Sequence, residues 1–431
     1  MVAETLLTYY MRRVTRRHFT IRKNFALPEL QPNRDKSYSL YIHIPFCENQ
    51  CPYCSFNLML FESSLANLYF DNITRELEMY RDLGFLFDAV YIGGGTPTVL
   101  PDRLAMLLEL IQSTWSVTQI SVETHPDHLT PATIQTLKSS GVKRLSVGIQ
   151  TFNRELLTRI NRDGQHSSNL EVERKLALVK DQFETINIDM IYNFPSQTQS
   201  MLSEDLQTVR RLELDQVTFY PLMVTNGKLK QLGPERWRLN YRKERRFYRN
   251  IVCELKDVYE QASAWCFSRK NRRGVPGKRG SGMIDEYIVD HDEYAGLGAG
   301  AFGYINGILY ANVFDVRKYI SLVQQRTFPV TANKVFKAHE RIRYDFLMKL
   351  FGTSLERRFM EGKYGRFVWF YLLKELFFFL ATGAVNFKNG TFTVVPRKKY
   401  YLVILMREFF TGVNHFREIC TEGIENAGVD K

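Results

Sequence analysis

The sequence predicts an open, parallel α/β fold, a six-unit partial barrel followed by a small, mainly helical, winged-helix-like C-terminal domain. Three observations predict it. Short β-branched runs alternate with longer amphipathic stretches from Ser37 to about residue 225, and such alternation implies a parallel sheet with right-handed crossovers. The strand-helix units number six, fewer than the eight that close a barrel. Residues with chemical character fall at the C-terminal ends of the predicted strands, where folds of this class place their sites.

Taken in order, residues 1–36 are a basic leader ending in ALPELQPNRDKS, whose prolines mark a linker. Residues 37–225 form the partial barrel, with strands predicted at Ser39–Ile44, Ala89–Gly94, Ile120–His125, Arg144–Gln150, Thr185–Tyr192 and Gln216–Leu222. Helical patterns fill the gaps at Leu65–Gly84, at Pro101–Trp115 and from Pro131. Residues 226–335, where the alternation fails, read as a barrel extension with a helical, basic linker leading to GLGAGAFG. Residues 336–431 read as helices followed by a hairpin, AVNFKNGTFTVV, turning at Asn389–Gly390.

A chain of 431 residues with 45% hydrophobic and 24% charged residues has the composition of an ordinary soluble protein. Six cysteines, three of them in one loop, argue against a disulfide framework. Cys253, Cys266 and Cys420 are scattered and read as buried free thiols. The N-terminus has no signal-peptide core, so a reducing cytoplasm is expected. One apolar stretch, Phe367–Val385, is interrupted by Lys374 and Glu375. It reads as a helix buried against a domain core, with a peripheral membrane contact as the alternative. The net charge of +12 concentrates at Met11–Lys23 and Lys228–Arg279. Such clusters suit a solvated face, an acidic small molecule or an electron donor, and no nucleic-acid module accompanies them.

The chemistry centres on YIHIPFCENQCPYCSFN, where Cys47, Cys51 and Cys54 are spaced C-x3-C-x2-C. Three thiolates are one short of a closed zinc site unless a distant His completes it. On a [4Fe–4S] cluster they leave one iron open for a substrate or cofactor. Gly93, Gly94 and Gly95 follow a strand directly and let backbone approach a ligand. Thr96 and Pro97 are placed to cap and begin the next helix.

The cysteine loop resembles that of the radical S-adenosylmethionine (SAM) enzymes, and Tyr53 before the third cysteine follows that family's habit. YIGGGTPT, ETHPDHLT, RLSVGIQTFN, INRDG, INIDMIYNFPSQT and TFYPL follow in order as far as Leu222. Together they resemble the coproporphyrinogen oxidase-like branch, which holds oxygen-independent coproporphyrinogen III oxidase, HemW, class C SAM methylases and anaerobic haem-degrading enzymes. A weaker match continues through Asp292–Gly307 and His339–Gly352.

The resemblance implies that Cys47, Cys51 and Cys54 hold the cluster and that its open iron chelates SAM, which one electron cleaves to a 5′-deoxyadenosyl radical. It assigns Tyr41, Gly94 and Glu123 to that SAM. It assigns Tyr53, Gly95, Thr96, Gln150, Arg162, Asp189 and Pro221 to a second SAM beside the first. Phe302, in the weaker match, joins the cofactor-contacting set. An Arg162–Asp189 ion pair is the structural alternative for that pair of residues. The resemblance further implies a reduced flavodoxin- or ferredoxin-type electron donor. The substrate would be a tetrapyrrole or other flat unsaturated molecule, altered by oxidation or methyl transfer. The alternative is a haem-binding chaperone with little radical chemistry, for which His43 is one candidate haem ligand. Three departures bear on the choice. Phe56 stands where the oxidases carry a further cysteine, their N-terminal arm motif is absent, and Asn193 replaces the usual glycine after Tyr192. SRKN at Ser268–Asn271 only faintly echoes the S-R-H-N stretch of HemW.

Overall fold

A computed structural model of the chain describes residues 2–18, 30–162, 169–224, 239–270 and 291–427. Its centre is a twelve-stranded sheet. The six expected strands are present: β1 (Tyr38–Ile44), β2 (Phe87–Gly94), β3 (Gln119–Thr124), β4 (Arg144–Gln150), β5 (Thr185–Tyr192) and β6 (Gln216–Pro221). They lie side by side in that order, every pair parallel. Every residue of β1 is buried, as expected of a strand covered on both faces. Helices α1 (Val2–His18), α2 (Ser63–Asp82), α3 (Pro101–Thr114), α4 (Pro131–Ser139), α5 (Arg154–Arg159), α6 (Asn169–Val179) and α7 (Gln199–Leu212) precede or link them.

The sheet is wider than the sequence suggests. The helix α8 (Tyr241–Leu255) is followed by β7 (Tyr259–Gln261) and β8 (Cys266–Arg269), which extend the β6 edge antiparallel. On the other edge, β9 (Tyr294–Leu297) pairs parallel with β1 as a seventh parallel strand. Beyond it lie β10 (Phe302–Ile305), β11 (Ile308–Asn312) and β12 (Val330–Val335), all antiparallel. Four-residue strands rich in glycine carry too little periodicity to be read from sequence. Gly296 in β9 is demanded by packing, since a Cβ there would sit 2.1 Å from the Phe302 carbonyl oxygen. Among the described residues the strand order runs in one line without closing.

Helix α9 (Val316–Gln324) leads into the C-terminal part, where α10 (Ala338–Phe351), α11 (Arg357–Tyr364), α12 (Val368–Tyr371) and α13 (Leu373–Ala381) pack beside a second sheet. That sheet orders β13 (Ser354–Glu356), β15 (Thr391–Val394) and β14 (Val385–Lys388), an arrangement of the winged-helix kind. Asn389 and Gly390 turn β14 into β15 with φ of 52° and 77°, the conformation an Asn-Gly hairpin turn adopts. The last helix, α14 (Tyr400–Ala427), runs back across the sheet.

Several expectations need correction. The basic leader is a helix: α1 buries Leu7 and Met11 and packs along α14. Arg12 Nε bonds Glu408 Oε2 at 2.7 Å. The stretch at Phe367–Val385 is broken into α12 and α13; it buries Val368, Leu372 and Phe379 against the core and leaves the other face exposed. Pro97 opens a three-residue 3-10 turn instead of a helix, Thr96 makes no capping bond, and α3 starts at Pro101. Cys253 is exposed, whereas Cys266 is buried. The basic run from Asn271 to Arg279, Asp163–Gly164 of INRDG and the Cys420 side chain lie outside the described residues.

Candidate functional site: a cavity at the carboxyl ends of the parallel strands

The cysteine loop leaves β1 at Ile44 and is tied at both ends. Tyr41 donates its hydroxyl to His43 Nδ1 at 2.9 Å, and His43 Nε2 donates to the Asn57 carbonyl at 2.9 Å. Burial, with a smaller push from Arg417, lowers the His43 pKa to about 4 and keeps the ring neutral. Asn57, just past the third cysteine, donates to the carbonyls of Ala299 at 3.1 Å and Phe314 at 2.8 Å. Both nitrogens of His43 are therefore occupied. In this arrangement it brackets the loop.

The glycine run serves the same junction. A Cβ on Gly93 would sit 2.6 Å from a Glu123 carboxylate oxygen, one on Gly94 2.7 Å from the His43 ring, and one on Gly95 2.5 Å from the Phe46 carbonyl. Gly94 also has φ +116°. These glycines let β2 close against the cysteine strand and against Glu123. The Glu123 carboxylate accepts from Tyr91 Oη at 2.7 Å and from Gly94 N at 3.1 Å, which fixes its direction.

Arg162 is nearly sealed from solvent. It donates from Nη1 to Cys51 Sγ at 3.5 Å and Tyr53 Oη at 3.4 Å, and from Nη2 to the Gly148 carbonyl at 2.7 Å. Neighbouring sulfur and phenol oxygen hold its charge against desolvation. Asp189 instead accepts from Ser146 Oγ and Asn187 Nδ2, each at 2.9 Å, so the structural alternative, an Arg162–Asp189 ion pair, gives way to two separate settings. Cys47 Sγ lies 3.5 Å from Thr96 Oγ1, and burial pushes its thiol up. Gln150 ends β4 at φ +71°, beyond a bulge at Gly148–Gln150, a strained position of the kind that gathers at binding sites.

Asn193, the departure after Tyr192, has φ +72°. The position needs left-handed backbone, and after glycine Asn adopts it most readily. Its N–H donates to Gln197 Oε1 at 2.8 Å, so the turn is kept.

All fourteen sequence-selected residues, Phe302 and Pro221 included, line one cavity of about 360 Å³ at the carboxyl ends of the parallel strands. The remainder of its lining was not legible in sequence. Helix α14 supplies Phe409, Phe410, Val413, Asn414 and Arg417 as a roof, and Trp265 joins from the β7–β8 turn. The Trp265 and Phe410 rings lie 6.0 Å apart, and Tyr220 and Trp265 5.2 Å. The Arg417 guanidinium lies 4.9 Å from the Phe56 ring and 5.4 Å from Phe302. Its Nη1 donates to Asn414 Oδ1 at 3.0 Å, and Asn414 donates to the Met223 carbonyl at 3.0 Å. His125 and His128 also face the cavity.

The donor set fits an iron–sulfur cluster. Among the described residues no three His, Cys, Asp or Glu side chains converge on a single-ion position. Three cysteines that share a cavity wall without meeting at a point suit separate irons of one cluster better than a tetrahedral zinc. The buried Arg162, which meets no carboxylate among the described residues, matches the negative charge that cluster-bound thiolates bring.

A parallel half-barrel with three such cysteines at its mouth defines a radical SAM protein. Residues 41–209 match the Radical SAM superfamily model. The chain is 29% identical to the heme chaperone HemW of Bacillus subtilis over 349 residues, 76% of this chain and 87% of that protein. It is 33% identical to HemW of Lactococcus lactis over 293 residues, 66% of this chain and 74% of that protein. Its fold matches coproporphyrinogen III oxidase (HemN) of Escherichia coli with a TM-score of 0.74 and 20% identity, covering 90% of this chain and 94% of that one. The chain belongs to the radical SAM superfamily, in its HemW/HemN branch. The superfamily works with a [4Fe–4S] cluster and SAM.

Proposed function

We propose that Cys47, Cys51 and Cys54 hold the cluster, that SAM binds between it and the strand ends, and that the chamber under α14 receives a flat, unsaturated, anionic molecule of the tetrapyrrole class. One observation carries this reading: the cysteines, the polar strand-end residues and the aromatic roof all face the same cavity. When bound, the cluster supplies the electron that cleaves SAM to a 5′-deoxyadenosyl radical. Glu123, held by Tyr91 and Gly94, presents a fixed carboxylate to the cationic or ribose side of SAM. Arg162 counters the charge at Cys51 and offers a carboxylate anchor to a second SAM. Asp189 and Gln150 are placed for ribose hydroxyls and orientation, and Tyr41, Tyr53, Gly95, Thr96, Pro221 and Phe302 shape the walls.

Arg417 suits an anionic substituent on the far side. It and Arg162 are the two Lys or Arg residues among the described cavity-lining residues. Facing aromatic rings favour a planar ligand. The reaction would be oxidation or methyl transfer, fed by a reduced flavodoxin- or ferredoxin-type donor in a reducing cytoplasm. A second reading, haem carriage with little turnover, is favoured by the HemW relatives and by Phe56, which occupies the oxidase cysteine position and packs on Arg417. The two readings separate on one assay. The protein is reconstituted anaerobically and reduced with SAM, with and without haem or coproporphyrinogen, and 5′-deoxyadenosine and S-adenosylhomocysteine are quantified. Deoxyadenosine that vanishes in Cys47→Ala supports turnover, and accompanying S-adenosylhomocysteine supports methyl transfer. Stoichiometric haem binding with no deoxyadenosine above the Cys47→Ala background leaves carriage alone.

A further inference from the structure

Helices α12 and α13 turn six large apolar side chains to solvent. Phe367 is 76% exposed, Phe370 69%, Tyr371 55%, Leu373 58%, Phe377 76% and Leu380 51%. Leu373, Phe377 and Leu380 follow the i, i+4, i+7 spacing of one helix face. The opposite face is pinned: Glu375 is buried, accepts from Arg343 Nε at 2.5 Å and bonds the Tyr10 hydroxyl, so α1, α10 and α13 are locked together. The apolar face is thus held outward by a buried ion pair. Single exposed apolar residues are commonplace, but a contiguous row marks an interaction surface.

The charge around it is mostly positive, and Glu361, the acid bonded to Trp369 of α12, is paired with Arg357 at 2.6 Å. From Arg366 to Lys399 the sequence holds six Lys or Arg residues and one acid, the buried Glu375. Lys374 sits between the exposed Leu373 and Phe377 and also lines a cleft of about 560 Å³ between α1 and α10. Arg13, Lys337, His339 and Arg343 line the same cleft. Among the described residues, Arg13, Lys337 and Lys374 form no salt bridge. Glu340, the acid in the cleft lining, is taken by Lys334 at 3.1 Å and by the Lys337 N–H at 2.9 Å. An apolar row beside an electropositive cleft is complementary to a layer that offers hydrocarbon and negative phosphate side by side.

We propose that this face docks on an anionic lipid bilayer, with the α12–α13 row in the acyl boundary and a phospholipid headgroup in the Arg13/Lys337/Lys374 cleft. The surface shares no residue with the cysteine cavity, so the inference stands apart from the proposed function. No helix among the described residues is long and apolar enough to cross a membrane. The contact is peripheral.

Co-sedimentation of the full chain with phosphatidylcholine vesicles, with and without phosphatidylglycerol, tests it. Binding is expected only with phosphatidylglycerol and should weaken as salt rises. The triple variant Arg13→Glu/Lys337→Glu/Lys374→Glu should bind roughly a hundredfold more weakly, since each cation near the surface contributes about 1 kcal/mol. Phe367→Ser/Phe377→Ser alters only exposed side chains and should lose binding while its thermal melt stays unchanged. Equal binding to both vesicle types, or to neither, overturns the proposal. So does full competition by soluble glycerophosphoglycerol, which would make the cleft a free-anion site. A dimer in light scattering that the Phe367→Ser/Phe377→Ser variant abolishes would assign the face to a second copy of the chain.

Discussion

Arg162 shows what one residue decides at this site. Its guanidinium is buried against Cys51, Tyr53 and a backbone carbonyl, and a hydrogen bond to a charged group contributes about 1.5–3 kcal/mol. Arg162→Met should therefore lower iron and sulfide retained per chain after reconstitution, and Arg162→Lys should recover part of it. Wild-type cluster content in the Met variant would show that the guanidinium does not serve the cysteines. Gly94 is the complementary case, fixed by backbone and not by charge. Gly94→Ala combines a left-handed φ with a Cβ placed 2.7 Å from the His43 ring, so it should destabilise the fold by about 2–4 kcal/mol, read by denaturant unfolding of the apoprotein.

Among elements, the joints between helices and the sheet are polar and buried. Glu76 of α2 is fully buried and accepts from Gly298 N at 2.8 Å, Tyr319 Oη at 2.7 Å and Asn312 Nδ2 at 3.0 Å, fastening α2 to the loop after β9. Burial raises its pKa from 4.5 to about 7. In the folded chain it holds its proton to higher pH than when unfolded, so its contribution is full below about 4.5 and is lost as pH rises through about 7. Asp205, raised by burial from 3.8 to about 7, acts in the same direction. Stability should thus decline between pH 5 and pH 7, and Glu76→Gln should flatten that decline in thermal melts. At the α1–α14 joint, Arg407 is buried between Glu244 and Glu408. Arg407→Ala leaves the buried Glu244 without its cation, while Glu408 keeps Arg12, and should cost about 3–5 kcal/mol, measured by urea unfolding.

Over the whole molecule, residues more than 350 positions apart in sequence meet at one cavity, with Cys47 on one wall and Arg417 in the roof. The roof depends on α14, and α14 is clamped by α1. Arg417→Ala should raise the Kd for haem about tenfold or more, the loss of one charge-assisted contact, without changing iron content. Absorbance titration of the reconstituted protein reads the first and iron analysis the second. Unchanged haem affinity would remove Arg417 as an anion anchor.

Local chemistry made much of this legible from the sequence. Strands β1 to β6 follow from β-branched runs bounded by turn residues, and of the fourteen selected residues all but Arg162, which follows α5, and Phe302, which opens β10, sit in short motifs on or just after those strands. Their convergence on one end of the sheet follows from right-handed parallel connections. The hairpin at Asn389–Gly390 was equally plain, because its turn needs two left-handed residues in a row. The roof was not legible, because α14 reads as an ordinary amphipathic helix and no spacing links Arg417 to Cys47. Nor was the outward face of α13, because an apolar run has the same composition whether covered or bare. The sequence alone determined the cysteine chemistry and the parallel core, since both depend on neighbours along the chain. Which helix covers the site, which charges pair and which apolar face stays open were decided by tertiary packing, because those depend on residues that only folding brings into contact.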